Sequence, residues 1–577
     1  MAADLSFSLW RTSVCLPKFD EAVHLSDVES HNDPEEEPFR SHYKARDIWK
    51  QIEQELKERE PAMEESEQRC AVAIHSAINY MLGCNYIEAE ETSVGEEKLV
   101  LSLQSIESEK MTPRYCCLAV KVLNMLGVLW SGRENYEKAL QFAKGSEQLY
   151  SDYLASTEVA PFVIRDLFID DEHLTPEEER QMAFESEHTH TLFYLAQIYD
   201  KLQKRSESAE YCYATLRRQL ETRQFDSIEW ALNCATLSQY YITVGDYMST
   251  RHCLAAASKM VSQNDGCDQQ DQSEKLLKCR ADISRCWVKY CLNLLQESKS
   301  AIQSAENDTE ITSSSETPME ASHEVAQFDL DVSAFEGDTP VSHVLTFEDA
   351  RHVFILGQKH LDLARQFYVL DGYVTDYVSI TQDYSQLFKN LAFFEHDIDR
   401  QCRMHKRRAD MLLETAKQLN PQFYLVICRQ LTFETAEIYN SLVELKYSSA
   451  EQREGPPTPH MIKKINQLVQ QSIDQFQAFV DSFRDHKKEM PKTFEADSLH
   501  PVLVSKFYVA RLYTKFIVSD KSQRVQNMKK ALDLYQGLLD YSDAHPDMPP
   551  VFNEELSVCK EMVQLMPLKM TKIMQGP

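Results

Sequence analysis

Over most of the chain apolar residues return every three or four positions, the period of helices with one buried stripe. In LNMLGVLWSGRENYEKALQFAKGSEQLY, residues 123–150, Leu123, Leu126 and Trp130 share one face with the small Gly127. A polar break at Glu134-Asn135-Tyr136 follows, and Ala139 comes nine residues after Trp130. Large residues one turn apart form a knob, and a small residue among them lets a second helix approach, so the stretch predicts an antiparallel helix pair. The series recurs in TLFYLAQIYDKLQKRSESAEYCYATLRRQL, with Leu192, Leu195, Ala196 and Tyr199, and Ala209 one residue late. It recurs again in CATLSQYYITVGDYMSTRHCLAAA, with Leu237, Ser238 and Tyr241 before a Gly245-Asp246-Tyr247 turn. Weaker copies are LTFETAEIYNSL (Ala436, Tyr439) and FYVARLYTKFIV (Ala510, Tyr513), the latter followed by KKALDLYQGLLDY.

This is the tetratricopeptide pattern, and it predicts an all-α, tetratricopeptide-like right-handed helical solenoid of antiparallel helix pairs, about eight to ten of them. The small residues Gly127, Ala196 and Ser238 are 69 and 42 positions apart, not the ~34 of a regular array, so longer helices and inserts are expected. Four regions follow: an N-terminal segment, 1–40, partly irregular; a first solenoid half, 41–296; an acidic disordered loop, 297–342; and a second solenoid half, 343–577. The loop assignment rests on eleven Asp or Glu against one Lys, on SSSETP and EGDTP, and on the missing helical period. Such a composition buries too little apolar surface to offset ordering entropy.

Sixty-one basic against 91 acidic residues leave a net charge of -30, which repels nucleic acid and anionic lipid and favours a basic protein partner. A merely solubilising role for the charge is the alternative. Only 13 glycines among 577 residues disfavour an all-β chain. No apolar stretch is long enough to span a bilayer, so no membrane insertion is expected, and the place of action is read as cytoplasmic and cytoskeleton-associated. The 15 cysteines sit in apolar helical stretches without CxxC and read as reduced core residues. No GxGxxG, GxxxxGK, GxSxG or HExxH occurs, so neither catalysis nor a cofactor is expected. His188 and His190 lack the further ligands a metal needs and are read as groove or surface residues. The densest basic run, Arg400 to Arg408, reads as a solvated helix face paired with neighbouring acids, or as a contact for an acidic patch.

In such stacks the position after the small residue points into the concave groove, which selects Val128, Gln197 and Gln239. Tyr194 and Thr236 lie three residues earlier on the same faces, and Gln219 ends the outer helix of the second pair. Uncharged donor-acceptor groups beside aromatics suit the helix of a folded partner. Bridging between repeats is the alternative for the amides. The candidate partner-binding set is Tyr194, Gln197, Gln219, Thr236 and Gln239.

Longer segments carry more than repeat spacing. SIEWALNCATLSQYYI, DGYVTDYVSITQDYSQLFKNLAFFEHDIDRQCRMHKRRADML, NPQFYLVICRQLTFETA and HMIKKINQL resemble the kinesin-binding protein family. The resemblance implies a non-enzymatic helical protein that binds motor domains of a subset of kinesins and blocks their attachment to microtubules. It also implies control of mitochondrial and vesicle transport, axon growth and the spindle, and a monomer is expected. A general scaffold binding peptide segments of transport partners is the alternative function.

Overall fold

The computed structural model describes residues 6–223, 225–263, 270–308, 326–452, 455–491, 493–545 and 552–575. Among them every regular element is a helix, in keeping with the expected class. They divide into two compact units: residues 1–244 with 326–330, and residues 245–325 with 331–577.

The first unit opens with α1 (Phe7–Trp10), a π-turn over Arg11–Cys15, and α2 (Leu16–Asp27). Helix thus fills much of the segment read as partly irregular, and the irregular portion is near Asp33–Phe39. Buried anchors tie it down: Trp10 and Cys15 are fully enclosed, and Phe19 stacks on Phe168 at 4.3 Å. Pro17 in the first turn of α2 needs no amide partner there, so it starts this helix instead of interrupting it.

Then come α3 (Arg40–Arg59), α4 (Glu65–Glu88), α5 (Thr92–Ile106), α6 (Cys116–Gly132), α7 (Tyr136–Ser156), α8 (Glu177–Lys201), α9 (Arg205–Thr222) and α10 (Ser227–Thr243). The pairs α4 with α5, α6 with α7 and α8 with α9 pack closely. Each closes in one way. The second residue after the first helix turns left-handed, at Glu90 (φ 65), Glu134 (φ 60) and Gln203 (φ 60). The next amide then reaches back five residues to an aromatic carbonyl: Glu91 to Tyr86 at 2.8 Å, Asn135 to Trp130 at 3.0 Å, Lys204 to Tyr199 at 2.9 Å. That bond satisfies a carbonyl that the helix end would otherwise strand. The repeated aromatic of the sequence pattern therefore marks where each first helix stops. Gly127 meets Ala139 and Ala143 of α7, as the pattern predicts.

The second unit holds α11 (Tyr247–Ser262), α12 (Gln270–Asp308), the short α13 (Ser333–Glu336), α14 (Phe347–Phe367), α15 (Val374–Phe394), α16 (Ile398–Gln418), α17 (Pro421–Glu451), α18 (Pro459–Asp481), α19 (Ala496–Thr514), α20 (Lys521–Ala544) and α21 (Asn553–Gln575). Consecutive helices from α14 to α21 pack side by side. Pro421 and Pro459 occupy first turns, where a missing amide costs nothing.

The acidic stretch 297–342 differs from the loop read from composition. Its centre, 309–325 with SSSETP, lies outside the described residues, but its flanks are structured. α12 runs past Glu297 to Asp308. Phe328, 4% exposed, packs on Trp230 at 5.2 Å and Tyr213 at 5.3 Å within the first unit. In the second unit Glu336 meets Arg251 at 3.5 Å and His252 at 3.1 Å. Single apolar anchors and ion pairs hold the second flank, 326–342, and neither produces a helical period.

Candidate functional site

All five residues of the candidate set lie on α8, α9 and α10 of the first unit, with α9 packed against both of its neighbours. The Asp226 side chain caps α10 by accepting from the amides of Ile228 and Glu229, each at 2.9 Å. The Trp230 indole donates to the Leu216 carbonyl at 3.0 Å and fixes α10 on α9. Arg218 of α9 pairs with Glu185 of α8. These ties hold the three helices in register and leave the outer side chains for contact.

On α8, Gln197 is exposed and makes no hydrogen bond among the described residues, whereas Tyr194 is half-buried. Burial pushes the Tyr194 phenol upward and the nearby Glu187 carboxylate adds to the shift, against an opposing effect of Lys121. Lys121 and Glu187 form an ion pair between α6 and α8. Tyr194 therefore stays a neutral donor-acceptor beside a fixed ion pair. On α10, Thr236 is exposed and bonds the Leu232 carbonyl at 2.9 Å, while half-buried Gln239 donates to the Ser238 hydroxyl at 3.0 Å. Gln219 is half-buried on α9, with its Oε1 enclosed and unpartnered. A polar atom so placed is costly to the fold. Val128 is half-buried.

The same faces extend further than the sequence reading took them. His190 lies one turn before Tyr194, ring to ring at 6.5 Å, and is exposed. Glu229 and Asn233 continue the exposed line of Thr236 toward the start of α10. Continuing the i, i+3, i+4 series outward from Tyr194 and Thr236 would have found all three.

His190 is exposed as read, but His188 departs from the groove or surface reading, because the helical spacing turns it to the opposite, inward face. His188 is buried and stacks on Tyr150 at 3.7 Å and 3°. Burial, reinforced by the Arg218 cation, lowers His188 to about 4. No group of three or more potential metal ligands occurs among the described residues, and no described helix is long and apolar enough to cross a membrane. Cys267 falls outside the described residues, and the other cysteines are free thiols.

The basic run on α16 is a solvated, acid-paired face only in part. Arg400 approaches Glu395 at 3.5 Å and Lys406 bonds Asp410 at 2.6 Å. Arg408 departs from that reading. It is 4% exposed and donates to the Ser385 hydroxyl at 3.0 Å, beside Glu434 at 3.6 Å. Burial lowers its guanidinium to about 10, against the pull of Glu434 and Glu437. It is an internal tie between α15, α16 and α17.

The comparisons with known proteins agree with this architecture. Residues 228–573 match the family described as KIF-1 binding protein C terminal. The KIF-binding protein of Danio rerio is 39% identical over 99% of this chain and 99% of its own length. That of Homo sapiens is 36% identical over 96% of this chain and 97% of its own. A cryo-EM structure of KIFBP is 32% identical, covers 96% of this chain and 97% of its own, and superposes with a TM-score of 0.65. With a family match over more than half its length, and relatives aligned almost end to end, the chain belongs to the KIF-binding protein family.

Proposed function

We propose that this protein binds the motor domains of a subset of kinesins, covers their microtubule-binding surface and so keeps them off the track. The family membership carries the kinesin-binding part, since the relatives are named for it. The α8 to α10 surface supports the rest. An exposed, unpartnered Gln197 amide and an exposed Thr236 offer uncharged hydrogen-bonding groups to one helix of a folded partner. A motor domain presents a basic face to acidic microtubules, so a protein of net charge -30 attracts the same face. By this route the protein controls transport of mitochondria and vesicles, axon growth and spindle assembly, acting in the cytoplasm as a monomer without cofactor or catalysis.

Co-sedimentation of several kinesin motor domains with microtubules tests this. Selective loss of some motors from the pellet, with this protein bound to them in the supernatant, is the expected result. Pelleting of every motor together with this protein would leave the scaffold reading in its place. The surface is tested separately: Gln197→Ala with Gln239→Ala is expected to weaken motor binding at least tenfold while the fold persists. Unchanged affinity would move the site elsewhere.

A further inference from the structure

The second unit contains a cavity of about 490 Å3 between α16, α17 and α18, remote in sequence from the α8 to α10 surface. Its lining is unusual for so acidic a protein. Arg403 and Lys406 come from α16, Lys446 from α17 and Lys464 from α18, while Leu442, Leu468 and Cys402 supply an apolar floor. Asp399 is the one carboxylate in the lining. It pairs with Lys446 at 2.7 Å, a bond that holds the Asp399 carboxyl below its ordinary range, with Arg403 and Lys464 adding to the effect. Lys406 is matched by Asp410 at 2.6 Å. Arg403 and Lys464 form no close ion pair among the described residues and only share Asp399 with Lys446 at longer range, so the lining keeps an excess of positive charge spread over α16 and α18.

We infer that this cavity binds a phosphoryl group, carried either on a small soluble ligand or on a phosphorylated side chain of a protein partner. A doubly charged phosphoryl group matches this excess of positive charge, which one carboxylate shared by three cations leaves unbalanced. A guanidinium fork on one side and ammonium point charges on the other are the donors such groups take. The volume lies within the roughly 300 to 1,000 Å3 of ordinary small-molecule sites, so the phosphoryl group can bring a body that rests on Leu442 and Leu468. The overall negative charge does not forbid this, because charges beyond a Debye length of about 8 Å are screened at physiological ionic strength. The ligand would bridge α16 and α18 across α17, so its binding is read as stabilisation of the fold.

The test uses the full chain and three probes: inositol hexakisphosphate, sodium pyrophosphate and a phosphoserine peptide with its unphosphorylated counterpart, all at matched ionic strength. Melting temperature and calorimetric affinity are compared for wild type, Arg403→Gln with Lys464→Gln, and Lys521→Gln with Lys529→Gln. The last pair removes two exposed charges from α20. Binding by wild type and by the α20 variant, weakened at least tenfold in the cavity variant, is the expected result. A small probe that binds assigns a soluble ligand, and preference for the phosphorylated over the plain peptide assigns a protein source. The exposed positions of Arg403 and Lys464 leave the unliganded melting temperature nearly unchanged. No binding by any probe, or equal weakening in both double variants, overturns the proposal.

Discussion

At the scale of single residues, two side chains are held in states that water would reverse. His188 has its Nδ1 enclosed without a partner, faces Tyr150 from α7 and Arg218 from α9, and has only Glu185 of its own helix to favour a charge. The free imidazole titrates near 6.5 and the buried one near 4. Between those values the unfolded chain takes up a proton that the folded chain refuses. This contribution to stability is complete above about pH 6.5 and declines as pH falls toward 4, by about 3 kcal/mol over the interval. His360 and His405, also lowered by burial, act in the same direction. Denaturant unfolding across pH 7.5 to 4.5 is expected to show a steeper acid loss for wild type than for His188→Gln. Gln219 is the second case. Its unpartnered Oε1 costs on the order of 1 to 3 kcal/mol, so Gln219→Met is expected to leave the unfolding midpoint unchanged or raise it. The same variant should weaken motor binding, which would separate a binding role from a structural one. Spacing picked Gln197 and Gln239 alike, yet only Gln197 is exposed, while Gln239 is half-buried and bonded to Ser238. Spacing also could not say that Gln219 is half-buried, since that depends on how α8 and α10 flank α9.

At the scale of elements, the helix pairs were legible because knob, small residue and aromatic recur in order. The close contacts that most need glycine were not. Gly127 was the small residue that the pattern singled out, yet a Cβ there would meet the Ala139 carbonyl at 3.5 Å and the Ala143 Cβ at 3.7 Å, ordinary contacts. A tighter crossing is α4 on α5. A Cβ on Gly95 would stand 2.7 Å from Ile87 Cγ1 and 2.9 Å from the Gly83 carbonyl, and one on Gly83 would stand 2.7 Å from Leu99. Neither glycine sits in a recognisable repeat, so only the packed structure exposes the need. Gly95→Ala is expected to cost about 1 to 3 kcal/mol in urea unfolding, because backbone must move. Gly127→Ala should fall within about 1 kcal/mol of wild type and can stabilise, since alanine favours the helix. The break at Glu134-Asn135-Tyr136 was legible, but its left-handed residue, like the one at Gln203, was not, because the chain uses residues there that give no glycine signal.

At the scale of the whole molecule, charge and surface make different contributions, and salt separates them. Of the net charge of -30, about a third falls in residues 297–342 and the rest is spread along the chain, whereas Tyr194, Gln197, Thr236 and Gln239 are uncharged. Long-range attraction from distributed charge acts on encounter, before the surfaces touch, and is screened as ionic strength rises. Short contacts made by amides and hydroxyls act after encounter and respond little to salt. For a motor that binds, association measured by stopped flow is expected to slow about tenfold or more between 50 and 300 mM salt, with dissociation changing less than about twofold. Gln197→Ala with Gln239→Ala should do the reverse, leaving association nearly intact and speeding dissociation. The pair of measurements also bears on selectivity. If charge chose the partner, motors with the same basic face would bind alike and salt would erase the differences among them. If the α8 to α10 surface chooses, the ranking of motors persists at high salt while every association rate falls. Persistence of the ranking is the expected outcome, and its collapse with salt would place the choice in the field of the chain instead of its uncharged contacts.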